Sequence, residues 1–315
     1  MPRALRIEYA GACYHVVCRG DRREAIFLSD ADRESFLDTL GQACEKTGWR
    51  LHAYVLMSNH YHLVLETPEP NLVAGMRWFQ STYTIRFNSR NRLSGHLFQG
   101  RYKAVVVESG TPGYLRTVST YVHLNPVRAR LVPPEDVNRY AWSSARWYGT
   151  RKNRPSWLEV SRVLGEWGWG DAGAGRRAYQ RYLVDRAREE RRDRAKRDDI
   201  YAPIRRGWCL GREEFRQALL EGAGEKLLSG QRARSLGGAA VSEHAEHQAV
   251  KLLGDALRDL GATLEEVRRW PWTDPRKRSL ARLVRSQTTV TNAWVGQHLG
   301  GGHDSTVSRA SQHQG

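Results

Sequence analysis

The order of strand-like and helix-like segments between residues 12 and 125 constrains the fold of this chain most strongly. Strand segments are rich in β-branched and aromatic residues, and helix segments repeat apolar positions three and four residues apart. The strand, helix, strand, strand, helix, strand and helix segments occupy, in order, residues 12–19, 29–48, 49–57, 60–67, 72–87, 95–108 and 112–125. This order predicts one compact α+β domain of about 150 residues, built on a mostly antiparallel sheet.

The chain carries a large basic excess. Its 315 residues include 50 Lys and Arg against 34 Asp and Glu, which gives a formal net charge of +16. Such an excess is typical of proteins that bind polyanions, so nucleic acid is the first partner to expect. No apolar run reaches the roughly eighteen residues of a membrane span, and residues 1–8 lack the apolar core of a signal peptide. We therefore expect a cytoplasmic, nucleoid-associated protein with no membrane partner.

Composition changes after Thr150, and the sequence predicts three regions. They are the α+β domain at residues 1–150, a basic helical linker region at 151–238 and a helical domain at 239–315. Within the linker region, residues 176–197 hold ten Lys and Arg and four acidic residues, so ten minus four leaves a charge of +6. That stretch fits either a solvated helix face with ion pairs or a helix that follows a phosphate backbone. Gly222 to Gly238 predicts a loop.

Two histidines stand two residues apart in the strand segment at 60–67. Because side chains alternate between the faces of a strand, His60 and His62 share one face and Tyr61 points to the other. Two imidazoles on one face can bind one metal ion. A polar strand face with hydrogen-bonded histidines would give the same triplet.

Tyr121 and Asn125 stand four residues apart on the third predicted helix, so their side chains project from one helix face. The Asn125 amide oxygen, together with His60 and His62, would form an open-sided site suited to Mg²⁺ or Mn²⁺. A metal there would polarise a phosphoryl oxygen, and Tyr121 would be the nucleophile that forms a covalent phosphotyrosine.

Three further side chains are interpreted as structural. Tyr114 precedes Tyr121 by seven residues but lacks an asparagine four residues later, and His123 points away from Tyr121 on the helix. His15 lies in the first strand segment, where facing the metal site is the alternative to a structural role.

Three separated motifs resemble those of a known family, the REP-associated tyrosine transposases, which are single-tyrosine HUH nucleases. The motifs are His60-Tyr61-His62, Gly95-His-Leu-Phe-Gln-Gly-Arg-Tyr-Lys103 and Tyr121-Val-His-Leu-Asn125-Pro-Val-Arg-Ala-Arg130. The resemblance covers roughly residues 5 to 150. It implies a ferredoxin-like core that cleaves single-stranded DNA at or beside a REP-like hairpin, leaving a 5′-phosphotyrosine and a free 3′ hydroxyl.

Matched residue by residue, the resemblance makes His60, His62 and Asn125 the metal ligands and Tyr121 the nucleophile. Basic side chains around these motifs are then expected to bind DNA phosphates. They are Arg19, Arg101, Lys103 and Arg128.

The C-terminal segments also resemble a DNA-binding module, the helix-turn-helix that longer members of the family carry. One helix is predicted at 293–299 and another at 305–310, separated by a glycine-rich turn. This resemblance implies that duplex DNA is a second partner. The polar residues of the last helix that would contact it are Ser305, Thr306, Ser308 and Arg309.

Two other functions remain open from the sequence. A regulator that binds a DNA sequence or hairpin without chemistry would show the same basic excess and the same C-terminal helices. An RNA-binding or RNA-processing protein is a third possibility, because either polymer can form a hairpin. The presence of all four expected catalytic and metal-binding side chains favours the enzyme.

Overall fold

The computed structural model describes residues 7–228, 239–288, 290–302 and 304–311, which divide into two compact units. One unit holds the described residues up to Arg216, and the other holds those from Gln217 onward. The three regions expected from composition stay a prediction about domains. The compact units part at residue 216 because residues 151–216 pack with the sheet described below.

Within the described residues, five strands form a single mixed sheet in the order β2-β3-β1-β4-β5. The strands are β1 (Ala12–Arg19), β2 (Arg50–Leu56), β3 (His60–Thr67), β4 (Lys103–Val107) and β5 (Cys209–Leu210). The first four strands pair in antiparallel fashion, in the order of a ferredoxin-like sheet, whereas β5 adds to β4 in parallel. The predicted α+β class and the mostly antiparallel sheet are confirmed. The fifth strand was not expected.

Eight α-helices accompany the strands in the described residues up to 228. They are α1 (Asp30–Thr47), α2 (Leu72–Asn91), α3 (Tyr114–His123), α4 (Asn125–Arg128), α5 (Ser161–Gly165), α6 (Gly173–Arg192), α7 (Arg194–Arg206) and α8 (Glu213–Leu228). Local signals set the ends of α1. The Ser29 hydroxyl and the Asp32 carboxylate form a capping box at its start, and Gly48 ends it in the left-handed conformation.

The two faces of the sheet have different partners. Helices α1 and α2 cover one face, where Phe36 and Phe79 pack with Tyr61 at ring-centroid distances of 4.9 and 6.1 Å. Helix α3 packs against β2 and β3. Since Tyr61 points to the first face, His60 and His62 point to the second.

Two local expectations from the sequence are wrong. Asn125 does not lie on the third helix: α3 ends at His123, and Asn125 begins the short helix α4. The reason is Pro126, which has no N–H to donate to the Val122 carbonyl, so the hydrogen bonds of α3 cannot continue, whereas proline fits in the first turn of α4. Arg101 lies in the loop before β4, because that strand starts only at Lys103.

Residues 151–216 are held to the sheet by buried acids paired with arginines. The Glu66 carboxylate, in β3, accepts a hydrogen bond from Arg162. Glu108, at the end of β4, accepts two hydrogen bonds from the Arg212 guanidinium, at 2.6 and 2.9 Å. These pairs and the added strand β5 make this segment part of the sheet unit.

The C-terminal unit is helical in its described residues. It begins within α8 and continues with α9 (Ala239–Leu260), α10 (Leu264–Arg269), α11 (Pro275–Gln287), α12 (Asn292–His298) and α13 (Asp304–Ser311). Leu280, Val284, Leu299 and Val307 lie in its apolar core. The helices predicted at 293–299 and 305–310 are present, while a helix-turn-helix function stays a prediction.

The loop expected at residues 222–238 is only partly within the described chain. Residues 222–228 continue helix α8 and are not a loop, and residues 229–238 lie outside the described residues. In the parts of the chain that the structure describes, none of the helices has the length and apolarity to span a membrane.

Candidate active site

The second face of the sheet gathers polar side chains from three strands. The antiparallel register places Arg19 opposite His60, and Val17 opposite both His62 and Lys103. Residues directly opposite each other in an antiparallel pair share a face, so these side chains border one site. His15 lies on the same face, two residues before Val17.

Each of the two predicted metal-binding histidines has its Nδ1 atom engaged. Nδ1 of His62 is 2.9 Å from Nε2 of His15, and Nδ1 of His60 is 2.8 Å from Oδ1 of Asn59. The His60 and His62 ring centroids are 5.1 Å apart. In both rings Nε2 is therefore the nitrogen left for a further ligand. Histidines that bind metal commonly have their second nitrogen held in this way.

Burial keeps these rings neutral. It lowers the pKa of His60 to about 4, with a smaller contribution from the Arg19 charge. It also holds the pKa of His62 well below its usual value, assisted by His15 and His60. A neutral imidazole offers the lone pair that a metal ion needs.

Tyr121 packs against this histidine cluster. Its ring centroid lies 5.7 Å from those of His15 and His62, and both contacts are edge-on. The ring of Tyr201, from helix α7, lies 5.1 Å from that of Tyr121. The structure thus brings the predicted nucleophile of α3 next to the predicted metal-binding histidine of β3.

Arg128 connects the nucleophile to helices α6 and α7. Its guanidinium lies 4.7 Å from the Tyr121 ring centroid and 4.4 Å from that of Tyr201. It also makes two hydrogen bonds to the buried Glu190 carboxylate, at 2.9 and 3.1 Å. The Tyr201 hydroxyl donates to the same carboxylate at 2.5 Å. Arg128 is therefore held in place by a buried, fully paired group.

Asn125 lies beside the nucleophile despite starting a new helix. Its Nδ2 donates to the backbone carbonyls of Tyr121 at 2.9 Å and Val122 at 3.4 Å. This orients the amide and leaves Oδ1 as its free end. No cluster of three or more His, Cys, Asp or Glu side chains suited to a metal occurs in the described residues. A cation here would therefore need Asn125 or water beside the two histidines.

The four basic residues expected to bind DNA near the site differ in exposure. Arg19 and Arg101 are exposed. Lys103 is half-buried and donates to the Arg205 carbonyl at 2.7 Å, and Arg128 is committed to Glu190. Arg19 and Lys103 border the histidine face, whereas Arg101 lies in the preceding loop.

The four residues expected to contact duplex DNA all lie on α13, in the C-terminal unit. Ser305 is exposed, and Thr306 and Ser308 are half-buried. The side chain of Arg309 falls outside the described residues.

Sequence reasoning missed Glu190 and Tyr201. Both lie outside the three family-like motifs, and their contacts join residues far apart in the chain. Glu190 is one of only four acidic residues in the basic stretch 176–197. That position among arginines was the one feature of the sequence that could have indicated a role for it.

Residues 9–125 match the family model described as "Transposase IS200 like". This part of the chain is similar to the IS200-like transposases. The matched segment includes both histidines, His60 and His62, and ends at Asn125, so it contains Tyr121 as well. The match supports an enzyme of the HUH transposase and endonuclease class, with a role in DNA transposition.

Solved structures show partial similarity to the chain. A REP-associated tyrosine transposase bound to a REP hairpin is 16% identical, with 52% of this chain and 93% of that chain covered and a TM-score of 0.41. A putative transposase from Deinococcus radiodurans R1 is 17% identical, with 40% and 89% covered and a TM-score of 0.28. No curated protein matches the chain at a significant level.

Proposed function

We propose that this transposase is a metal-dependent endonuclease and strand transferase that acts on single-stranded DNA at or beside a hairpin. The observation that carries the proposal is the packing of the Tyr121 ring 5.7 Å from the His62 ring. A nucleophile on one element and a pair of neutral imidazoles on another meet at the same side of the sheet. REP-like hairpins are the proposed substrate because the three motifs resemble those of REP-associated tyrosine transposases.

In the proposed reaction the Tyr121 oxygen attacks a backbone phosphorus atom. The new bond joins tyrosine to the 5′ phosphate, the 3′ oxygen leaves as a free hydroxyl, and the phenol proton passes to solvent. A second 3′ hydroxyl can then attack the phosphotyrosine and release Tyr121, which completes strand transfer. The Arg128 guanidinium over the ring stabilises negative charge as it develops on the attacking group.

The proposed cation is Mg²⁺ or Mn²⁺, held by His60, His62 and Asn125. The donor set fits such an ion, because both imidazoles are neutral and have Nε2 free, and the asparagine adds a neutral oxygen. When bound, the ion would supply Lewis-acid polarisation of a phosphoryl oxygen. His15 and Asn59 each hold one of the two rings through its Nδ1 atom.

The C-terminal helices are proposed to bind duplex DNA, with α13 as the contacting helix. The support is the predicted helix, glycine turn and helix order, together with the polar and accessible side chains of Ser305 and Thr306. A protein with both DNA partners would be associated with the nucleoid.

The test is formation of a covalent protein–DNA adduct. The full chain is incubated with an end-labelled hairpin oligonucleotide that carries a single-stranded flank, with Mg²⁺ or Mn²⁺, and resolved on a denaturing gel. We expect an adduct from the parent protein and none from Tyr121→Phe, whereas Tyr114→Phe, the matched control on the same helix, keeps it. Adduct formation by Tyr121→Phe would rule the assignment out.

The metal role is tested separately with His60→Ala. This variant should bind the oligonucleotide with the affinity of the parent protein but lose cleavage, because the side chain would hold the ion and not the strand. Binding of DNA by the parent protein without any adduct would favour a regulator. Cleavage of an RNA version at a similar rate would favour RNA as substrate.

A further inference from the structure

An arginine-lined cleft lies beside the candidate active site, within the sheet unit. It has a volume of about 150 Å³ and is formed by the chain after α3 and by helices α6 and α7. Its charged lining residues are Arg128, Arg130, Arg191, Arg194, Arg197 and Glu190. Five positive charges against one negative leave a charge of +4. Residues 191–197 belong to the basic stretch whose role the sequence left open.

Three of these arginines are unpaired within the described part of the chain. Among the residues that the structure describes, no ion pair or side-chain hydrogen bond involves Arg130, Arg191 or Arg194. The single acid in the cleft, Glu190, is already satisfied by Arg128 and the Tyr201 hydroxyl. The cleft therefore presents unneutralised guanidinium groups.

Other arginines of helix α6 are ion-paired. Arg186 pairs with Glu189 at 2.6 Å, and Arg188 pairs with Glu135 at 2.9 Å. A solvated face with ion pairs thus describes part of α6, while Arg130, Arg191 and Arg194 of the cleft lack such pairs. The ion-paired interpretation of the basic stretch holds for part of it. The phosphate-binding interpretation stays a prediction for the part that lines the cleft.

Backbone geometry brings the arginines to the cleft. Helix α6 ends at Arg192, and Asp193 caps the start of α7, so the chain turns between Arg191 and Arg194. On the facing wall, Arg130 has a φ of +59°, a left-handed conformation that glycine usually provides after a helix. An arginine at that position carries a backbone cost, which is typical of functional sites.

We propose that this cleft binds a backbone phosphate of the single-stranded DNA that Tyr121 cleaves. The inference rests on the proposed function and adds a phosphate subsite to it. Guanidinium groups match phosphate with two parallel hydrogen bonds, and three unpaired groups around a small cleft can enclose one phosphate. Arg128 joins the cleft to the reaction, because it lines the cleft and also lies over the Tyr121 ring. A strand that crosses Tyr121 can therefore continue into the cleft.

The experiment measures DNA binding in a protein that cannot form the adduct. In the full chain with Tyr121→Phe, the double change Arg191→Gln with Arg194→Gln is compared with Arg177→Gln with Arg181→Gln. The control pair is exposed on α6, removes the same charge and does not line the cleft. Fluorescence anisotropy of a labelled single-stranded oligonucleotide gives the dissociation constant at several salt concentrations.

We expect the cleft variant to bind at least about tenfold more weakly at moderate salt. The slope of log K against log salt should become shallower by about 0.7, because the cleft is proposed to hold one phosphate and each phosphate neutralised on a single strand accounts for roughly 0.7 of the slope. The control variant should keep both values, and Arg191→Lys with Arg194→Lys should recover most of the slope. Equal decreases in affinity for the cleft and control variants, or an unchanged slope in the cleft variant, would overturn the proposal.

This outcome is independent of cleavage. If the parent protein forms no adduct but the cleft variant alone binds DNA more weakly, the phosphate site stands and the proposed chemistry fails. If the parent forms the adduct and the cleft variant binds normally, the chemistry stands and the cleft is not a phosphate site.

Discussion

At the scale of single residues, His15 is the side chain whose role the structure changes most. The sequence favoured a structural role, with the metal face as the alternative. Its Nε2 lies 2.9 Å from Nδ1 of His62, and the planes of the two rings are parallel to within 2°. This contact fixes which nitrogen of His62 remains available. We therefore interpret His15 as a positioning residue behind a proposed metal ligand.

Replacing His15 should weaken metal binding without removing a ligand. His15→Phe keeps a flat ring in the same place but loses the hydrogen bond to His62, so Mn²⁺ affinity should fall about 10- to 100-fold. Calorimetric titration of Mn²⁺ into the protein measures this directly. His15→Gln, whose amide oxygen can accept from Nδ1, should recover part of the affinity. Parent-like affinity in His15→Phe would show that the contact is only packing.

At the scale of elements, helix α3 combines a buried side with the candidate active site. Leu115, Val118 and Val122 are fully buried, while Tyr121 is half-buried and reaches the histidine cluster. His123, interpreted as structural from the sequence, is buried with both ring nitrogens bonded. Nδ1 forms a hydrogen bond with the Tyr179 hydroxyl and Nε2 with the Ser144 hydroxyl, each at 2.7 Å. The helix that bears the nucleophile is thus anchored on its far side.

That anchor predicts a pH dependence of folding. Burial lowers the pKa of His123 from 6.5 to about 3, so the folded state favours the neutral ring. As the pH falls, the His123 ring is protonated in the unfolded chain before it is protonated in the folded protein. The neutral ring therefore stabilises the fold fully above pH 6.5, and this contribution declines as the pH falls toward 3. His123→Gln removes this titration. Between about pH 6 and 4, the difference in unfolding free energy between the parent protein and His123→Gln should decrease by up to about 1.4 kcal/mol for each pH unit.

Denaturant unfolding of both proteins at several pH values measures this effect. Parallel curves of unfolding free energy against pH would contradict it, because they would mean that His123 has the same proton affinity in the folded and unfolded chains.

Elements whose limits depend on local signals were predictable. The Ser29 cap and Gly48 set the ends of α1, and β3 spans His60–Thr67 as predicted. Contacts between distant segments were not predictable. Arg128 and Glu190 are 62 residues apart, and no local sequence pattern predicts that they pair. The sequence therefore indicated the histidines and Tyr121, but not the groups that hold Tyr121 in place.

At the scale of the whole molecule, residues 151–216 complete the sheet unit. They supply strand β5 and the side chains of Glu190 and Tyr201, although the family match ends at residue 125. A domain ending at residue 150, as composition suggested, would leave Arg128 without its carboxylate partner. Breaking such a buried pair is strongly destabilising.

Two truncated proteins test this point. A fragment of residues 1–228 should unfold cooperatively and form the DNA adduct at a rate close to that of the full chain, because it retains the whole sheet unit. A fragment of residues 1–150 should show no cooperative thermal transition by circular dichroism and no adduct. A stable, active 1–150 fragment would show that the later helices are dispensable for the site.

The central claim is that Tyr121 forms the covalent bond to DNA. The most direct measurement is peptide mapping of the protein–DNA adduct by mass spectrometry after nuclease and protease digestion. We predict that the nucleotide remnant is attached to the peptide containing Tyr121. Attachment to Tyr114 or Tyr201, or a cleavage reaction that leaves no nucleotide on the protein, would contradict the account.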